Sequence, residues 1–142
     1  MRKLGVTIAG ALAAALVSSA AGSLARADDA GAPPPAKMTC EHADGPGRVR
    51  CDVEARVGAG ESISWGDVVI VKTPPFVSAL RGRIGLQDAT THEPDVWRWA
   101  LALVAHDKGT GDVEARVRLV VCKGATCFPR ELPVTGHVTV GQ

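Results

Sequence analysis

From Arg48 to Val57 apolar and polar residues alternate. Val49, Cys51, Val53, Ala55 and Val57 share one face, and Arg48, Arg50, Asp52, Glu54 and Arg56 share the other. A period of two over this length predicts a half-buried strand. Val96 to His106 repeats the pattern with Trp97, Trp99, Leu101, Leu103 and Ala105 on one side. A third apolar row, Val113, Ala115, Val117, Leu119 and Val121, faces away from Glu114, Arg116, Arg118, Val120 and Cys122. Trp97 and Trp99 share an apolar face and are read as core, not as a ligand platform. Turn residues recur about every ten positions, as an all-β antiparallel sandwich requires. The sequence shows no convincing amphipathic helix and no internal repeat.

Other segments are less regular. Met38 to His42 forms the first arm of a hairpin whose link, Ala43-Asp44-Gly45-Pro46-Gly47, carries turn residues. Glu61 to Trp65 and Val68 to Lys72 read as a bent or broken strand pair, stopped by Thr73-Pro74-Pro75. Phe76 to Pro94 admits either a short strand or a turn of helix around Ser78 to Arg81. Asp107 to Gly111 makes a turn, and a last strand at about His137 to Gly141 closes the domain.

The amino terminus changes the length to be folded. Arg2 and Lys3 precede an apolar run from Leu4 to Val17, and small residues then end in Ala25-Arg26-Ala27. This is the pattern of a secretory signal peptide over residues 1–27. Residues 28–37 contain three consecutive prolines and predict a flexible, solvated leader. One domain, 38–142, follows. Removal of the signal takes away three of the sixteen Lys and Arg and none of the fifteen Asp and Glu, so the mature charge is −2 in place of +1. That balance argues against a nucleic-acid binder, and the length argues against a multidomain enzyme. No later apolar stretch approaches the ~20 residues of a membrane span, so the expected location is the periplasm or the cell exterior.

Four cysteines in an exported chain make thiol chemistry the first question. Cys40 and Cys51 lie on opposite arms of one hairpin and share the apolar parity of Met38 and Val53, so they are expected to form a structural disulfide. A competing arrangement pairs Cys51 with Cys122 around Trp65, imitating the spacing of an immunoglobulin domain with a disulfide between its sheets. Parity opposes it, because Cys122 follows the polar row of Arg116 and Arg118. Cys122 and Cys127 are separated by four residues on a tight connection. Their small ring, with Lys123 beside Cys122 and Arg130 beyond Cys127, fits an exchange-prone pair. A second inert hairpin staple fits the same spacing.

The stretch Val113 to Val140 combines an alternating strand, a Cys-x4-Cys turn, the step Cys127-Phe128-Pro129 and a closing strand. It resembles the amino-terminal periplasmic domain of the thiol:disulfide interchange protein DsbD family. The resemblance implies an immunoglobulin-like sandwich that passes electrons to periplasmic thiol-disulfide oxidoreductases. Cys127 would form the mixed disulfide, Cys122 would resolve it, and Lys123, Phe128, Pro129 and Arg130 would support the pair. No metal or organic cofactor is implied. A separate membrane electron donor would be needed, because the family's membrane and thioredoxin-like domains have no counterpart here. The loops around Phe76 and His92 are the expected cover for the dithiol. Arg130 stands where many members have a second proline, and the family's tyrosine-rich cap has no equivalent in a chain without Tyr.

Remaining candidates are weaker. His42, His92, His106 and His137 are scattered without ligand spacing, and Ser62, Ser64 and Ser78 lack a nucleophile elbow. The rival to redox exchange is a non-catalytic binding or structural sandwich held by two inert disulfides.

Overall fold

The computed structural model describes residues 34–141. The expected signal peptide and most of the leader lie outside the described residues. The two stretches with the clearest alternation, β2 (Gly47–Arg56) and β7 (Val96–Ala105), pair antiparallel along their whole length, from Gly47 opposite Ala105 to Arg56 opposite Val96. Around them form β1 (Ala36–Cys40), β3 (Glu61–Lys72), β4 (Val77–Ala79), β5 (Arg83–Ile84), β6 (Ala89–His92), β8 (Gly109–Lys123) and β9 (Thr126–Val140). Strand β1 therefore takes up Ala36 and Lys37, the last two residues of the expected leader. Among the described residues no helix is long and apolar enough to cross a membrane.

One sheet has the order β1-β2-β7-β4, with β6 on the same edge of β7; the other has the order β5-β3-β8-β9. Every pairing between these strands is antiparallel. The strand orders are those of an immunoglobulin-like sandwich, ABED and C′CFG, except that the place of the fourth strand is shared by β4 and β6, between which the chain visits the other sheet as β5. The predicted apolar rows form the core: Val53, Trp97, Trp99, Leu103, Val117 and Val121 are fully covered. Trp99 lies over Gly66 of β3, where a Cβ would stand 3.1 Å from its ring. The absence of a side chain at 66 makes room for the indole.

Three parts of the chain differ from the sequence reading. The stretch 61–72 is one strand, not a pair, and it keeps its pairing with β8 by register shifts between Ile63 and Trp65 and between Ile70 and Lys72. Bulges of this kind bend a strand without ending it. The undecided stretch 76–94 resolves into three short strands around a single 3-10 turn, Leu86–Asp88. Strand β9 is fifteen residues long, not confined to His137–Gly141.

The cause of the last difference is the placement of two prolines. The Ala43 N–H donates to the Thr139 carbonyl from outside the sheet (3.1 Å), so the odd-numbered residues of β9 face its open edge. The register with β8 is unbroken. Pro129 and Pro133 therefore fall on the open side, where a missing N–H breaks no ladder bond. They also remove two donors from an edge that would otherwise invite another strand.

Candidate functional site: two cross-strand disulfides and the surfaces around them

Cys40 stands directly opposite Cys51 in the β1–β2 register, and Cys122 directly opposite Cys127 in the β8–β9 register. Both pairs are bonded. The pairing of Cys51 with Cys122 is not formed, because Cys51 points into the core and Cys122 points out of the sandwich on the row of Arg116 and Arg118.

Backbone hydrogen bonding shows why both sites accept a bridge. Glu41 N–H donates to the Arg50 carbonyl (2.9 Å), so the neighbouring Cys40–Cys51 position is a non-hydrogen-bonded one. The edge-facing Thr139 fixes the same status for Cys122–Cys127. At such positions the Cα atoms approach most closely and the side chains are nearest. The Cα separations are 3.9 Å and 4.0 Å.

The two bridges differ in surroundings, not in spacing. Cys51 is fully covered and Cys40 half-buried, and Cys40 packs against β9 at Gly136, where a Cβ would lie 2.9 Å from its sulfur. Cys127 is exposed and Cys122 half-buried. The connection between their strands is the two-residue turn Gly124-Ala125, with Gly124 at φ 60°. Short hairpin turns demand that positive φ.

Strand parity separates the residues expected to support the pair. Pro129 shares the outer face with both sulfurs, and the next row inward carries Trp65 and Val120. Phe128 and Arg130 point the other way. The Arg130 guanidinium donates to both Glu61 carboxylate oxygens (3.0 and 3.2 Å) and lies 5.2 Å from the centre of the Phe128 ring. Arg130, the Gly58 N–H and Lys123 together hold the Glu61 carboxyl below its usual range. Of the two cations that sequence spacing offered to a thiolate, Arg130 is thus engaged by a carboxylate on β3, whereas Lys123 makes no ion pair among the described residues.

The expected cover is also absent from the pair. Phe76 packs against Gly109 and Gly111 at the start of β8, whereas Cys122 lies near its end. The His92 ring stacks edge-on against Trp97 with centroids 4.0 Å apart. Both loops serve other parts of the sandwich.

Sequence reading missed two buried carboxylates, one on the outer side of each sheet. Glu54 is 8% exposed. It accepts hydrogen bonds from Arg56 Nε and Arg98 Nε, each at 2.7 Å, and has Lys37 Nζ at 3.5 Å. Burial pushes its pKa up, but the bonds from Arg98 and Arg56 outweigh burial and bring it to about 2. Asp67 is fully covered by Arg83 and Arg118, with Nε contacts of 2.6 Å and 2.8 Å. Burial opposes its ionisation, and the two guanidiniums prevail and lower its pKa. The cue was the cross-strand partner, which no single segment reveals: Arg98 lies opposite Glu54 and Arg118 opposite Asp67.

Ser78 Oγ lies 2.8 Å from His106 Nε2 on the exposed side of the first sheet. No carboxylate among the described residues hydrogen-bonds to that histidine. The pair is a surface hydrogen bond without the third member of a triad.

No family model matches the sequence, and no curated protein matches it. Two solved structures are similar in part. A protein of unknown function from Porphyromonas gingivalis W83 is 18% identical, with 75% of this chain and 48% of that chain covered and a TM-score of 0.36. The chain thus spans about half the length of that protein. BslA, described as a bacterial hydrophobin, is 8% identical, with 78% of this chain and 98% of that chain covered and a TM-score of 0.34.

Proposed function

We propose that the chain is an exported, non-catalytic β-sandwich module. In this reading both disulfides are staples, and the sheet surfaces provide the function by binding. The carrying observation is that each bridge joins residues directly opposite one another at a non-hydrogen-bonded position of its own hairpin. Such bridges lock register without linking distant parts of the chain. Two disulfides also suit a compartment where thiols stay oxidised, in agreement with the signal-like amino terminus. The engagement of Arg130 by Glu61 supports the same reading, since it takes charge away from the outer dithiol.

A second reading, exchange of the DsbD type, draws support from one observation: Cys127 is exposed. In that reading a thiolate of the reduced membrane donor attacks Cys127 Sγ, the bond to Cys122 breaks, and Cys122 leaves with the electron pair as a thiolate. The donor's second thiolate then displaces Cys127 and closes the donor's own disulfide, so the domain gains two electrons and the donor loses two. The Cys127 thiolate would then attack the disulfide of an oxidised periplasmic oxidoreductase, and Cys122 would displace that partner as a dithiol, close the bridge again and hand both electrons on.

Incubation with one equivalent of a reduced thioredoxin-fold dithiol protein, followed by alkylation and mass analysis, distinguishes the two. The staple reading predicts both bridges intact after an hour. Transfer of two electrons to Cys122 and Cys127 within seconds contradicts it and establishes exchange.

A further inference from the structure

On the outer side of the first sheet, β7 presents two short side chains, Ala100 and Ala102, beside Asp52 and Arg50 of β2. Across β7, the β4 ladder covers Leu103–Ala105 and the β6 ladder covers Trp97–Trp99. Between them the edge of β7 meets only the turn after β4, through Leu80 N–H to the Ala102 carbonyl (3.0 Å). Small side chains and a split edge strand together leave a depression of about 220 Å3 lined by Glu41, Arg48, Arg50, Ala100 and Ala102. It adjoins a smaller one of about 50 Å3 beneath Leu80 and Arg81 that shares the same alanines.

The charges around this trough are unequal in availability. Arg50 is held by Asp52 at 2.7 Å and Arg81 by Asp88 at 2.5 Å. Arg48 makes no ion pair among the described residues. It sits on one transverse row with Val104 and Ser78, across the strand from that hydroxyl. Leu80 is 52% exposed and forms an apolar rim with no covering group.

We infer that this trough binds a small monocarboxylate carrying a short apolar tail. The carboxylate would pair with the Arg48 guanidinium, whose planar fork matches two oxygens, and the tail would cover the Ala100 and Ala102 methyls and Leu80. Glu41, which shares the lining, disfavours a second negative charge. A polypeptide strand is a poor occupant, because the open stretch of β7 spans only Ala100–Ala102. The inference rests on the binding-module reading and names its ligand class, but its test does not depend on the state of either disulfide.

Hexanoate titrated into the oxidised, 15N-labelled domain is the probe, with hexan-1-ol as the neutral control. Saturable amide shifts are expected at Ala100, Leu101 and Ala102, with a Kd on the order of millimolar for so small a ligand. Hexan-1-ol should bind at least tenfold more weakly. Arg48→Gln should weaken hexanoate at least tenfold, while Arg116→Gln on the other sheet should leave it unchanged. Equal binding of the alcohol, retention of binding in Arg48→Gln, or no saturable shift at these three amides would overturn the inference. The electron-transfer assay above reads out separately, so failure here and failure of the module reading are distinguishable.

Discussion

The sulfur of Cys40 occupies the space that a side chain on Gly136 would need: a Cβ at 136 would stand 2.9 Å from it and 2.5 Å from Met38 Sδ. The first staple is thus wedged between β1 and β9, at the margin where the two sheets meet. Gly136→Val should force the two apart and destabilise the domain by about 1–3 kcal/mol, the usual range for overpacking a filled core. Urea unfolding of the oxidised protein measures this, and Gly124→Ala is the contrasting case, with open space but a strained positive φ.

The two bridges should contribute unequally. Closing the sequence separation of eleven residues in Cys40–Cys51 removes roughly 3 kcal/mol of unfolded-state freedom, and the five of Cys122–Cys127 roughly 2 kcal/mol, in the chain-entropy model. Removing the first also empties a core position at Cys51, so Cys40→Ala with Cys51→Ala should cost more than Cys122→Ala with Cys127→Ala. Equal losses in denaturant midpoint at unchanged slope would contradict this ordering.

Acid should act through Glu54. Its folded pKa is about 2, below the ordinary ~4.3 of an unfolded Glu. A depressed folded value contributes stability that is fully present above the unfolded pKa and is lost as pH falls through the folded one. The loss therefore falls between about pH 4.5 and pH 2, and Asp67 adds to it in the same direction. Glu54→Gln should flatten the decline of stability across that window. The measurement is the urea midpoint at a series of pH values, and an unchanged slope would show that the Arg56–Glu54–Arg98 cluster carries none of it.

The core tryptophan and its glycine make a local test. Gly66→Ala places a methyl 3.1 Å from the Trp99 ring and 3.0 Å from Leu119 Cδ2. It should destabilise the domain by about 1–2 kcal/mol and shift the Trp99 fluorescence, because the indole must move. An equally stable variant with unchanged emission would mean that the contact is slack.

Much of this architecture was legible because alternation is a local signal. Val49 through Ala55, Trp97 through Ala105 and Val113 through Val121 each declare their buried face within one strand, and the same parity ranked Cys40 with Cys51. What escaped depends on neighbours distant in sequence. The last strand is expected only at about His137 to Gly141, and Pro129 and Pro133 fit its fifteen-residue length because β9 is an edge with its odd residues facing out. Alternation reads a break at Gly66-Asp67, but both residues are paired with β8, and the irregularities fall instead between Ile63 and Trp65 and between Ile70 and Lys72. Arg130 looked like a partner of the dithiol because spacing along the chain says nothing of Glu61, which reaches it from a different strand. The trough over Ala100 and Ala102 was equally hidden, since it exists only where β4 and β6 leave β7 uncovered.

The central claim is that the outer bridge is a staple. The reduction potential of Cys122–Cys127, isolated in a Cys40→Ala, Cys51→Ala background and titrated against dithiothreitol, tests it most directly. The account predicts a value below about −300 mV, as structural disulfides show. A value between about −120 and −270 mV, the range of dedicated dithiol oxidoreductases, would contradict it.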